Sequence, residues 1–192
     1  MLIAGVDEVG RGPLAGPVYA AAVILGKKRI IGLNDSKSLS PKELIRLDKE
    51  IRANAIAFSI GKSSVTEIET LNILRASLLA MKRAIKSLSC RPSKLLIDGN
   101  IAPSTDLPLE MIIKGDTKIH SIMAASVVAK VARDELMKKL DKKFPIYDFK
   151  NNKGYPTRFH LKALKEFGPC KHHRMTFKPL KKLDNEVNGL KY

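Results

Sequence analysis

Asp7 and Glu8 stand side by side at the end of an apolar run and lead straight into Gly10-Arg11-Gly12-Pro13-Leu14-Ala15-Gly16-Pro17. Acids are the minority in this chain, 19 against 35 Lys and Arg, for a formal net charge of +16. Adjacent carboxylates repel, so a pair on an apolar strand calls for a cation, and a divalent metal suits oxygen ligands of this kind. Asp98 follows the apolar run Leu95-Leu96-Ile97, and Asp116 comes soon after a second run, Leu109 to Ile113. Carboxylates converging from separate elements could seat two Mg2+ or Mn2+ ions about 3.5–4 Å apart for phosphoryl transfer, one activating water and one steadying the leaving oxygen. Asp7, Glu8, Asp98 and Asp116 are the candidate set. Each also has a structural reading: Asp98-Gly99-Asn100 is turn-like, Asp116 could cap a following helix, and Asp7-Glu8 could meet lysines at a strand edge. Successive strand residues face opposite sides, so Asp7 and Glu8 share one site only where the strand ends or bends. Gly10 and Gly12 allow such a bend.

The elements that must position these acids follow from apolar periodicity. Leu2 to Val9, Val18 to Leu25 and Ala55 to Ile60 are β-prone runs, and their closeness in sequence predicts an antiparallel meander. Ser40-Pro41-Lys42-Glu43 has capping-box spacing with proline in the first turn, opening a helix through about Arg52. Ser64 and Glu67 repeat the capping spacing before Ile68, Leu71, Leu74, Leu78, Met81, Ile85 and Leu88, which predicts one long amphipathic helix ending at Cys90-Arg91-Pro92. The runs at 95–97 and 109–113 are short and wholly apolar, the pattern of strands buried on both faces. A helix carrying Ile122, Ala125, Ser126, Ala129 and Val131 is expected from Thr117 to about Leu140, and a last one from about Thr157 to Phe167, stopped by Gly168-Pro169. The succession is that of an α/β sheet of about five strands, antiparallel for the first three and then parallel, flanked by helices. In such sheets ligands gather at the carboxyl ends of strands, where Asp7, Asp98 and Asp116 fall.

The 192 residues, 44% of them hydrophobic, suit one compact core. We expect a catalytic domain over residues 1–144, a C-terminal helical segment over 145–180 completing the substrate-binding face, and a flexible tail over 181–192. The surplus of Lys and Arg calls for a polyanion, nucleic acid above all, and it thickens from Lys138 through Arg174 to Lys178, where phosphate contacts are expected. Two cysteines, Cys90 and Cys170, form neither a disulfide framework nor a zinc spacing, and point to a reducing, cytoplasmic setting. The apolar stretch Leu2 to Val6 is too short for a signal peptide, and no later stretch approaches the ~20 apolar residues of a membrane span.

The segment Gly5-Val6-Asp7-Glu8-Val9-Gly10-Arg11-Gly12-Pro13-Leu14-Ala15-Gly16-Pro17-Val18 resembles the signature of the ribonuclease HII family, the type 2 ribonucleases H. Asn34-Asp35-Ser36-Lys37, Ile97-Asp98-Gly99, Lys114-Gly115-Asp116, the run Ala124 to Asp134, and Gly154-Tyr155-Pro156-Thr157 follow in that family's order, and the likeness reaches about Pro179. The resemblance implies an RNase H-like fold. It implies metal-dependent endonucleolytic cleavage of the RNA strand in RNA–DNA hybrids, including at a single ribonucleotide embedded in duplex DNA, leaving 3′-hydroxyl and 5′-phosphate ends. It maps metal ligands onto Asp7, Glu8, Asp98 and Asp116. Gly10, Arg11 and Gly12 would read the ribose 2′-hydroxyl at the RNA–DNA junction, Tyr155 would pack beneath the adjoining deoxyribose, and Asn34, Ser36 and Lys37 would contact phosphates. These roles suit the residue types: glycine lets backbone amides approach a sugar, and tyrosine pairs a flat apolar face with one polar handle.

Other readings remain open at this point: another RNase H-like nuclease of the resolvase or integrase kind, or a non-catalytic hybrid-binding module. A nucleotide phosphate cradle is disfavoured, because Gly10-Arg11-Gly12 lacks the lysine-serine ending of a P-loop. Asp134, four residues after Lys130, is expected to form a surface ion pair, and the four histidines fit no zinc spacing. The chain is expected to act as a monomer, with a protein partner at the C-terminal tail left open.

Overall fold

β1 (Ile3–Val9) is apolar on both sides and lies near the middle of a five-stranded sheet in the computed structural model, which describes residues 1–181. The order is β3-β2-β1-β4-β5, with β2 spanning Val18–Leu25, β3 Ala55–Ser63, β4 Lys94–Asp98 and β5 Leu109–Ile112. The pairs β1/β2 and β2/β3 are antiparallel, whereas β1/β4 and β4/β5 are parallel, as expected. β5 is an edge strand, and Glu110 and Met111 are exposed on it rather than buried on both faces.

Helices α2 (Val65–Leu71) and α3 (Ile73–Lys86) cover one face, packing Ala76, Ala80 and Met81 against Ala4, Val6, Ala20, Leu95 and Ile97. Helices α1 (Pro41–Asn54) and α4 (His120–Lys143) cover the other, packing Leu47, Ile51, Ala124 and Val128 against Ala21 and Val23. Glycine brings α4 directly onto the sheet: a Cβ at Gly5 would lie 2.1 Å from the Ser121 carbonyl carbon.

Both predicted capping boxes form, Ser40 with Glu43 and Ser64 with Glu67. The single helix expected after Ser64 is broken, however. Asn72 takes φ +69° and its side-chain oxygen accepts a hydrogen bond from the Arg75 amide at 3.1 Å, ending α2 and capping α3. Apolar periodicity runs through the break, so the pattern conceals it. α4 begins at His120 rather than Thr117, because Gly115–Thr117 forms one turn of 3-10 helix first.

Beyond α4, the short α5 (Phe149–Asn152) and α6 (Arg158–Phe167) fold back to enclose a third core. Met137, Tyr147, Phe149, Ala163 and Leu164 there pack around Leu14 and Ala15, so the C-terminal segment rests on the glycine-rich turn. Apart from Lys181, the tail expected over 181–192 lies outside the described residues. Among the described residues no helix is long and apolar enough to cross a membrane.

Candidate active site

The parallel register sets Val6 opposite Ile97, so Asp7 and Asp98 follow side by side at adjoining strand ends. Val6 and Ile97 both pack in the α3-side core, which puts the two acids on the opposite, α4 face. The 3-10 turn after β5 adds Asp116, and one carboxylate oxygen from each of the three lies within 4.8 Å of the others. Asp7 and Asp116 are buried, and Asp98 is half-buried. Asp98 accepts the Gly115 amide at 2.6 Å, tying β4 to the turn that carries Asp116. Asp116 makes no cap to α4, whose N-terminus has no side-chain cap; its oxygen accepts instead from Lys37 Nζ at 2.9 Å. Burial, then the neighbouring Glu8 carboxylate, raises the Asp7 carboxyl well above its usual range; a Ser126 hydrogen bond offsets part of this and Asp98 adds to it.

Glu8 does not join this group. β1 continues regularly to Val9, and the bend at Gly10 (φ +91°) comes too late to turn Glu8 toward Asp7. The pleat sends Glu8 to the α3 side, into a cavity of about 120 Å³ lined by Arg11, Ser77, Met81, Asp98 and Asn100. Its Oε1 accepts from Arg11 Nη1 at 3.2 Å, and burial raises its carboxyl against the opposing pull of Arg11. Asp98 borders both places.

The glycine-rich turn is held from beneath by two fully buried arginines. Arg174 donates to the carbonyls of Gly10 (2.7 Å), Arg11 (3.0 Å) and Gly16 (2.9 Å). Arg133 donates to those of Ala15 (3.0 Å), Pro17 (3.1 Å) and Lys153 (3.0 Å). Among the described residues neither has a carboxylate partner, and burial lowers the pKa of both guanidiniums. A Cβ at Gly10 would sit 2.2 Å from Arg133 Nε, so close packing as well as positive φ requires glycine there. Arg174 was expected among the phosphate-contacting basic residues; it is buried and faces the chain. Arg133 escaped sequence reasoning, although it shares an otherwise apolar stripe with Ala129 and Met137 at i±4, and that is the signal that would have found it.

Tyr155, in the loop between α5 and α6, is partly exposed, and its ring edge lies 3.4 Å from where a Cβ on Gly12 would be. The Leu14 amide donates to the Gly154 carbonyl at 2.7 Å, binding the two loops together. Arg11 is exposed at the turn. Of the 34–37 segment, Lys37 reaches Asp116, and the buried Ser36 hydroxyl lies 2.9 Å from that of Ser126, beside Asp7. Asn34 is exposed and accepts the Asp35 amide. Lys130 and Asp134 form the expected pair at 2.9 Å.

The family model described as Ribonuclease HII matches residues 4–180. A protein of Burkholderia thailandensis named Ribonuclease HII is 52% identical over 181 residues, covering 94% of this chain and 85% of the relative. The crystal structure of the ribonuclease H2 from Pyrococcus horikoshii OT3 superposes with a TM-score of 0.81 at 26% identity, covering 98% of this chain and 99% of that one. The ribonuclease HII of Archaeoglobus fulgidus, solved in complex with PCNA, gives 0.73 at 25% identity over 93% and 96% of the two chains. The acids at the strand ends, the supported glycine turn and a match over nearly the whole length agree: the chain belongs to the ribonuclease HII family and is a type 2 ribonuclease H hydrolase.

Proposed function

We propose that this chain cleaves the RNA strand of RNA–DNA hybrids, and duplex DNA at a single embedded ribonucleotide, leaving 3′-hydroxyl and 5′-phosphate ends. The observation that carries the reading is the convergence of Asp7, Asp98 and Asp116 within 4.8 Å beside a turn backed by buried arginines. The donor set fits Mg2+ or Mn2+: hard carboxylate oxygens, two of them buried, with the raised Asp7 carboxyl marking charge that a cation would relieve. Asp7, Asp98 and Asp116 would hold the metal, with Glu8 as the fourth acid acting from the α3 side of Asp98. Bound there, the metal supplies water activation and neutralises charge on the leaving oxygen.

The chain's own residues supply the rest. Gly10, Arg11 and Gly12 offer backbone close enough to read a ribose 2′-hydroxyl, and Tyr155 against Gly12 offers a face for the next sugar. Lys37, now on Asp116, and the exposed Asn34 of the same segment would contact substrate phosphates, while Ser36 steadies Ser126 beside Asp7. Residues 145–180 complete that face by supporting the turn, and a cytoplasmic monomer suits two free cysteines. A protein partner fits the same reading, since the A. fulgidus relative was solved with PCNA.

The test is cleavage of a DNA duplex carrying one ribonucleotide, with the ends of the products determined. Loss of cutting in Asp7→Asn is expected. Undiminished cutting in that variant, or equal cutting of an all-DNA duplex, would overturn the reading.

A further inference from the structure

His160 and His173 are both buried, and their Nε2 atoms face each other at 3.0 Å inside a box of Tyr147 and Phe149 rings. Their partners dictate where the protons sit. The Tyr155 carbonyl, 2.8 Å from His160 Nδ1, can only accept, so His160 carries its proton on Nδ1 and leaves Nε2 bare. The Cys170 amide donates to His173 Nδ1 at 2.9 Å, so His173 carries its proton on Nε2 and donates to His160. The opposite tautomer of His173 would aim at the Cys170 carbonyl at 3.2 Å, but it would orphan the Cys170 amide and set two bare nitrogens face to face. A single line of donors therefore runs from Cys170 through both imidazoles to the backbone of Tyr155.

Both ends of this line meet the turn. His173 bridges to Ala15 as in a short antiparallel pair, the Gly16 amide donates to the His172 carbonyl at 2.8 Å, and Arg174 grips Gly10, Arg11 and Gly16. At the other end, the carbonyl taken by His160 belongs to the residue whose ring lies against Gly12. The ring of Tyr155 is partly exposed and no hydrogen bond to its hydroxyl is made among the described residues, so its placement depends on its backbone.

We propose that His160 and His173 are positioning residues that set Tyr155 against Gly12, and that through this spacing they determine preference for the RNA–DNA junction without touching the substrate. This rests on the functional reading above. An asparagine at 160 reproduces the donor to Tyr155, whereas a glutamine reproduces only the group that faces His173. The two variants therefore separate the link to Tyr155 from the filling of the core.

The experiment compares kcat/KM on duplex DNA carrying one ribonucleotide with kcat/KM on a uniform RNA–DNA hybrid, in the full chain with Mn2+, for wild type, His160→Gln, His160→Asn and Tyr155→Ala. The ratio is expected to fall about tenfold in His160→Gln, the size of one lost hydrogen bond, and as far as in Tyr155→Ala, with most of it regained in His160→Asn. Equal loss on both substrates, or no rescue by asparagine, overturns the proposal. Should His160→Gln not fold by circular dichroism, His173→Asn decides: it keeps an acceptor for the Cys170 amide and deletes the donor to His160, and an unchanged ratio there also overturns it. A wild type that fails to cut at a single ribonucleotide sinks the functional reading and this inference together. A wild type that cuts while the ratios stay level sinks the inference alone.

Discussion

At the ends of β1 and β4 and the turn after β5, three carboxylates are gathered and given one cation, Lys37; beneath the glycine-rich turn, two guanidiniums are gathered by backbone carbonyls and, among the described residues, given no anion. The first region resists its own charge, as the raised Asp7 carboxyl records. The second gives each arginine three carbonyl acceptors, one for each of its nitrogens, yet leaves their charge unneutralised. Burying charge of one sign is costly unless something outside supplies the other. The sheet end therefore favours a cation and the turn an anion, and Asp7 and Gly10 are only three residues apart along the chain.

The largest expected effect breaks the first half of that contrast. Asp7→Asn should reduce cleavage by about 10³-fold or more, the scale for losing one of a set that acts as a unit. In the metal-free chain the same change should raise the melting temperature, because it relieves like-charge crowding; a lower melting temperature with cleavage retained would make these acids structural. The second half is tested by Arg174→Met, which strips three carbonyls of their donor and should cost about 3 kcal/mol in denaturant unfolding. An unchanged midpoint would mean that water replaces the guanidinium.

Acid sharpens the contrast further. Burial, with His160 beside it, holds the His173 imidazole down to about 4, against 6.5 for the free group. The unfolded chain takes up that proton first, so stability is complete above about pH 6.5 and declines as pH falls toward 4, by up to about 3 kcal/mol. Unfolding curves across that range, compared with those of His173→Asn, check the sign. Smaller still, Tyr155→Ala should narrow the preference for a junction over a uniform hybrid by about tenfold, the size of a single contact. Parallel loss on both substrates would detach the turn from specificity. Asn72→Ala, which takes the cap from α3 and puts alanine at φ +69°, should cost about 1 kcal/mol in denaturant unfolding, and an unchanged midpoint would mean the cap contributes nothing.

The sheet and most helix starts were legible because burial and capping write themselves locally: Val18 to Leu25 is apolar throughout, and Ser40 and Ser64 stand three residues before glutamates. Asp7, Asp98 and Asp116 were legible for the same reason, each being an acid at or just beyond an apolar run. The parting of Glu8 from Asp7 depended on how far β1 continues past them, which glycines downstream obscure. Asn72 hid because its neighbours keep helical spacing on both sides. The apolar stripe of α4 marked Arg133 as buried, but what Arg133, Arg174 and the imidazole pair would bond was opaque for a different reason. The arginines meet carbonyls 20 or more positions away and the two imidazoles meet each other across 13, and a sequence carries no mark of which distant group a side chain will meet.

The alignment of β4 on β1 carries one more consequence. A slip of one residue would keep the ladder hydrogen-bonded but turn Asp98 to the far side of the sheet, away from Asp7. A misaligned molecule would thus keep much of its secondary structure and yet be blind to divalent ions. Under the proposed metal site, retention of a divalent ion after refolding becomes a readout of correct strand alignment, separating faithful copies from near-misses that spectroscopy of the backbone would pass.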